Sequence, residues 1–192
     1  VFSGLYSLFG LNAGPYRAFN ILLQVFTAYS LRAIWLRLAP TKDQTLALAV
    51  GALFLIWPSH PETVVWIAGM TDGLALAIGA AALWTMVVHI QTGRTGFFIS
   101  SVALFAVALV TKESAILLSL CGILMAFACL PEQRRRLIPH VASSAVLVAS
   151  YWPLRKLLLG HAIGGYASKT GFTGYWFGAL GNRMITNLSN AY

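Results

Sequence analysis

The sequence predicts an all-α fold: a polytopic transmembrane helical bundle of about six spans, with short interfacial helices beside them. Three observations predict it. The chain is 58% hydrophobic and only 9% charged, whereas soluble domains are about 25% charged, so it lacks the charge to cover a globular surface in water. Its apolar runs, rich in Leu, Ala, Ile and Val, are about 15 to 23 residues long, which suits helices crossing a hydrocarbon core of about 30 Å. Barrel strands would need strict alternation over about 10 residues, and the runs do not alternate. Backbone groups in lipid must pair within the structure, so helices remain.

The formal charge is +8, but the basic residues stand mostly at the ends of apolar runs, where they set orientation and meet anionic head groups. No basic face interleaved with polar helix exists, which argues against nucleic acid as a partner. Cys121 and Cys129 are eight residues apart in one apolar run. They lie about two helical turns from each other and cannot bridge, so they read as small apolar core residues. No Cys and His fall at metal-ligand spacing.

Residues 1–192 read as one transmembrane domain. The sequence opens on Val1 inside an apolar stretch with no charged leader before it. The expectation is an internal piece of a longer membrane protein, with an N-terminal span and first outer loop lying upstream. Val1 to Gly14 is aromatic and Gly-rich, too broken for a span, and fits a short interfacial helix or a re-entrant turn. Pro15 suits the first position of a helix, and the first span follows over Tyr16–Leu38. Asn20 and Gln24, four apart, share one face that should turn toward protein rather than lipid. Arg32 is near enough to the span end to snorkel. Ala39 to Asp43 turns the chain into a short second span, Gln44–Trp57, stopped by Pro58.

The stretch from Trp57 to Asp72, W-P-S-H-P-E-T-V-V-W-I-A-G-M-T-D, holds two of the five acidic residues of the chain. Ser59 to Glu62 fits a capping box ahead of a short interfacial helix, with Gly69 as its stop. A third span is expected over Gly73–His89, capped by Thr71 or Asp72, and Gln91 to Gly96 forms the next turn. Phe97 to Leu130 is apolar except for Thr111-Lys112-Glu113-Ser114. One helix of that length would measure about 51 Å, so the stretch reads as two spans folded back at Lys112-Glu113. This also gathers Arg94 and the Arg134-Arg135-Arg136 run on one side, cytoplasmic by the positive-inside rule. A last span covers Leu137–Leu159, with Pro153 as a candidate kink.

In that topology Glu62, Asp72, Lys112 and Glu113 all meet the outer face. Each would cost about 2.5 to 3.5 kcal/mol at mid-bilayer, so they belong at an interface or in a wet cavity. Each has an ordinary reading too. Glu62 caps a short helix, His60 is a polar residue at head-group depth, Asp72 is an N-cap, and Lys112 pairs with Asp72 or Glu62. Neighbours on a helix point apart, so Lys112 and Glu113 do not satisfy each other. Arg134 to Arg136 reads as an orientation signal, and His89, His140 and His161 as lone structural residues at span ends. Asn187-Leu188-Ser189 matches the N-glycosylation pattern.

The loop W-P-S-H-P-E-T-V-V-W-I-A-G-M-T-D-G-L, followed about forty residues on by A-L-V-T-K-E-S-A-I, resembles polytopic glycosyltransferases of the GT-C class. It is most like bacterial relatives of the dolichyl-phosphate-mannose protein mannosyltransferases, and similar to the tetratricopeptide-repeat transmembrane O-mannosyltransferases. The resemblance runs from about Tyr16 to Leu118. It implies a sugar donor carried on a polyprenyl phosphate, a protein or glycan acceptor, and transfer at the outer face of a bacterial inner membrane. It implies His60, Glu62, Asp72, Lys112 and Glu113 as the substrate-binding set, with a divalent cation left open as cofactor. The sequence departs from the family at Gln24, where a His is usual, and at Thr71, where an Arg often stands. The family's main catalytic acid lies upstream of the matching region, so the resemblance implies a base outside this sequence. Two other classes stay in view, a transporter or flippase and a non-catalytic membrane subunit. A transporter would hold its charges near mid-membrane on broken helices.

Overall fold

The computed structural model of the chain describes residues 2–57 and 69–159. All regular structure among them is helical: α1 Phe2–Phe9, α2 Ala13–Leu38, α3 Gln44–Ile56, α4 Met70–Thr92, α5 Thr95–Thr111, α6 Ala115–Cys129 and α7 Arg134–Leu159, with a 3₁₀ turn over Pro131–Gln133 before the last. By internal contacts the chain divides into two units, Val1–Val148 and Ala149–Tyr192. The described part of the second is the end of α7, where Arg155 donates to the Tyr151 hydroxyl at 2.8 Å.

Among the described residues three helices are long and apolar enough to cross a membrane: α2, α4 and α7. The six stretches expected as spans are all helical, α2 to α7; α3, α5 and α6 are shorter apolar helices of 13, 17 and 15 residues. They are shorter because each ends at a polar or turn-forming residue. Asp43 caps α3, its carboxylate accepting from the backbone N–H of Thr45 and Leu46, and Lys112 closes α5 in extended geometry. The expected fold-back at Lys112-Glu113 is where α5 and α6 part.

α4 is the hub. It packs against α2, α5 and α6, and its Met86 and Ile90 form a cluster with Ala126 of α6 and Leu137 of α7. Its sequence explains why. Gly73, Ala75, Ala77, Gly79, Ala80 and Ala82 are buried, and small residues let helix backbones approach where no hydrophobic effect drives them together. A Cβ on Gly122 of α6 would collide with the Leu83 side chain of α4. Such tight seams also exist between α2 and α3, where a Cβ on Gly51 would stand 3.2 Å from the Ala28 carbonyl oxygen.

Direction follows from the contacts. Leu23 of α2 lies level with Gly73 of α4, and Arg37 of α2 bonds Gln91 of α4, so α2 and α4 run parallel. Ser101 of α5 donates to the Ala82 carbonyl at 3.1 Å and Lys112 reaches Asp72, so α5 runs back. Leu118 and Gly122 of α6 face Gly79 and Leu83, parallel to α4 again. Within 134–148, α7 returns, Leu137 packing near Met86 and Leu147 near Ala82.

Several local expectations are corrected. α4 begins at Met70 with Gly69 as its cap, so neither Thr71 nor Asp72 caps it and Asp72 sits inside the first turn. Asn12 caps α2 by accepting from Gly14 N–H at 3.1 Å, which moves Pro15 to the third helical position, where its missing N–H is still not needed. α7 starts at Arg134 and continues through Pro153. Both cysteines are exposed, because the inward face of α6 is taken by Ala115, Gly122 and Ala126.

Candidate functional site

The two ends of α4 carry opposite chemistry. At its start, Asp72 stands in the first turn, where the helix dipole favours a carboxylate. Lys112 follows the last turn of α5, its backbone extended so that the side chain leaves the helix. The two form an ion pair. Both side chains remain more than a third exposed, 41% for Asp72 and 35% for Lys112. A pair so open contributes at most about 1 kcal/mol to stability, so the fold does not depend on it.

Glu113 is next in the same turn, which is closed by backbone bonds from Ala115 to Lys112 and from Ile116 to Glu113. On the α2 side, Asn20 and Gln24 are buried, 3% and 5% exposed. They face protein, as the four-residue spacing predicts. Because Leu23 is level with Gly73, this polar stripe comes up at the depth of the first turn of α4. Three of the five site residues inferred from sequence are therefore in view: Asp72 and Lys112 in contact, Glu113 beside them. His60 and Glu62 lie outside the described residues, as do His161 and Asn187.

Among the described residues no three of His, Cys, Asp or Glu gather where one ion could bind. Asp72 alone is a poor cation ligand, since an ammonium already meets its carboxylate. What the arrangement offers is a cation and carboxylates at a half-exposed rim, able to exchange partners with an anionic or hydroxyl-bearing substrate.

At the other end of α4 the sequence reading missed a pairing. His89 Nδ1 and His140 Nε2 are 2.9 Å apart, both rings buried, with Phe98 of α5 packed against each. They are not lone residues. One nitrogen carries the proton and the other accepts it, so each satisfies its neighbour where water is scarce. The signal was available: His89 precedes Arg94 by about as much as His140 follows Arg136, so antiparallel helices bring them to one depth.

The arginines here are largely occupied by helix ends. Arg136 donates to the Ile90 and Gln91 carbonyls, 3.0 Å each, at the C-terminus of α4. Arg134 donates from Nε to the Phe127 carbonyl near the end of α6. Last-turn carbonyls have no helical partner and carry partial negative charge, so guanidinium groups cap them well. Compared with protein-family models, curated proteins and solved structures, the chain matches none.

Proposed function

We propose that this chain is part of the membrane domain of a GT-C class glycosyltransferase that transfers a sugar from a polyprenyl-phosphate-linked donor to a protein or glycan acceptor at the outer face of a bacterial inner membrane. The observation that carries the reading is the meeting of Asp72 and Lys112 at one rim, with Glu113 beside them and the arginines at the far end of α4. The resemblance implies a substrate-binding role for these three residues, and the positive-inside rule assigns the arginine end to the cytoplasmic side.

In this reading Lys112 leaves Asp72 when the donor enters, and its ammonium meets the phosphate. At about 4 Å and an effective dielectric near 20 that attraction is about 4 kcal/mol before desolvation. It grows as the sugar–phosphate bond breaks and charge collects on the departing oxygen, which is the differential binding that accelerates a reaction. Asp72, released from Lys112, accepts hydrogen bonds from sugar or acceptor hydroxyls, as do Glu62 and Glu113, while His60 donates one. A carboxylate outside this sequence removes the acceptor proton. The charges stand at helix ends rather than on broken helices at mid-span, which favours this reading over a transporter.

The test uses the full-length protein in proteoliposomes with a polyprenyl-phosphate sugar. Lys112→Ala and Asp72→Asn are expected to lose transfer while reaching the membrane in normal amount. Near wild-type transfer in Lys112→Ala removes the proposed role.

A further inference from the structure

We infer that the bundle holds an anionic phospholipid in a groove between α6 and the start of α7, at the end opposite Asp72 and Lys112. The groove, about 470 Å³, is lined by Phe127 of α6 and by Leu137, Ile138, Val141 and Ala142 of α7, with Arg134 and Arg135 at its mouth. Its wall is apolar except for the two guanidinium groups, the chemistry of an acyl chain ending in a phosphate.

The arginines decide the occupant. Arg136 is consumed by the α4 carbonyls. Arg134 is held in place: its guanidinium carbon lies 4.0 Å above the Phe127 ring centroid and its Nε donates to the Phe127 carbonyl. That contact uses only Nε, and the Nη groups make no hydrogen bond to any described residue. Arg135 has no hydrogen bond or ion pair with any described residue. Glu132, in the turn just before, pairs with neither. Two adjacent cations above an apolar slot thus remain unneutralised, and a guanidinium fork suits phosphate oxygens. A free phosphate would meet the arginines but leave the slot beneath empty; a zwitterionic lipid would fill the slot but bring its own cation.

The inference is independent of the chemistry at the other rim. It is tested by purifying the full-length protein from mixed phosphatidylglycerol and phosphatidylcholine bilayers and measuring which lipid stays bound by native mass spectrometry. Wild type is expected to retain phosphatidylglycerol over phosphatidylcholine by a factor on the order of thirty, two arginine contacts at a lipid surface. Arg135→Gln, which removes no internal contact, is expected to lower that preference about fivefold. Arg94→Gln, on the neighbouring turn, is expected to leave it intact. Ala142→Trp, which fills the slot and spares both arginines, is expected to reduce retention of the lipid. Equal preference in wild type and Arg135→Gln overturns the site. So does an equal loss in Arg94→Gln, which would reduce the effect to diffuse surface charge. Full retention in Ala142→Trp removes the acyl-chain half of the assignment.

Discussion

The two rims of α4 differ in how their polar side chains are partnered. At the basic end, Arg136 is spent on the carbonyls of Ile90 and Gln91, Arg134 is anchored through Nε on that of Phe127, and His89 and His140 hold each other. Their partners are fixed parts of the fold. At the other end, Asp72 and Lys112 hold each other, in the open, and no other side chain among the described residues. Charges tied to a backbone support structure, whereas charges tied to one another at a wet surface can be redirected. That difference teaches where to expect chemistry, and it can be broken by experiment.

The largest expected effect is on transfer. Lys112→Ala in the full-length protein should lower the rate by at least about a hundredfold, as loss of a charge aimed at a developing anion does. Exchanging the pair, Asp72→Lys with Lys112→Asp, keeps the contact and should leave transfer equally low in a sugar-release assay. Recovery of activity in the exchanged protein would mean that the pair serves only to hold α4 and α5 together.

Next comes packing at the hub. Gly122→Ala should destabilise by about 1–3 kcal/mol, the usual range for overpacking, because the new methyl meets Leu83. Gly96→Ala, where nothing lies within 4 Å, should be neutral or stabilising by up to about 1 kcal/mol. Reversible unfolding in detergent compares the two, and equal losses would deny the tight seam.

The histidine pair should come third. His140→Ala leaves a buried imidazole without its partner and should cost about 1–3 kcal/mol. Replacing both rings by Phe should cost less than the two single changes summed, and strict additivity would mean that the contact carries no energy. The smallest effect is expected at the open rim: Asp72→Asn should change stability by under about 1 kcal/mol while removing transfer. A larger loss of stability would erase the distinction between the rims.

Much of the fold was legible because lipid leaves few solutions. A 34-residue apolar stretch is too long for one crossing, and Lys112-Glu113 is where it folds back. The buried stripe of Asn20 and Gln24 followed from helical spacing alone. Where the reading failed, the deciding contact was between distant segments. Thr71 and Asp72 have good capping side chains, yet the chain enters α4 two residues earlier, at Gly69. The cysteines are apolar enough for a core, but Gly122 and Ala126 hold the inward face because only small residues fit against α4. Of the site, the Asp72–Lys112 contact was among the readings made from sequence. The histidine pair was not: the spacing from the arginines sets both rings at one depth, but nothing in either segment says which helix will lie opposite.

The histidine contact has one more consequence. Both imidazoles are buried, so an electrophile reaches their nitrogens only when the helices separate. The rate at which an acylating reagent consumes these imidazoles therefore gauges how often α7 lifts from α4. In the resting bundle a slow, protected reaction is expected, quickened by any change that loosens the α7 seam, such as Ser144→Val, which removes its 2.9 Å bond to Ser119.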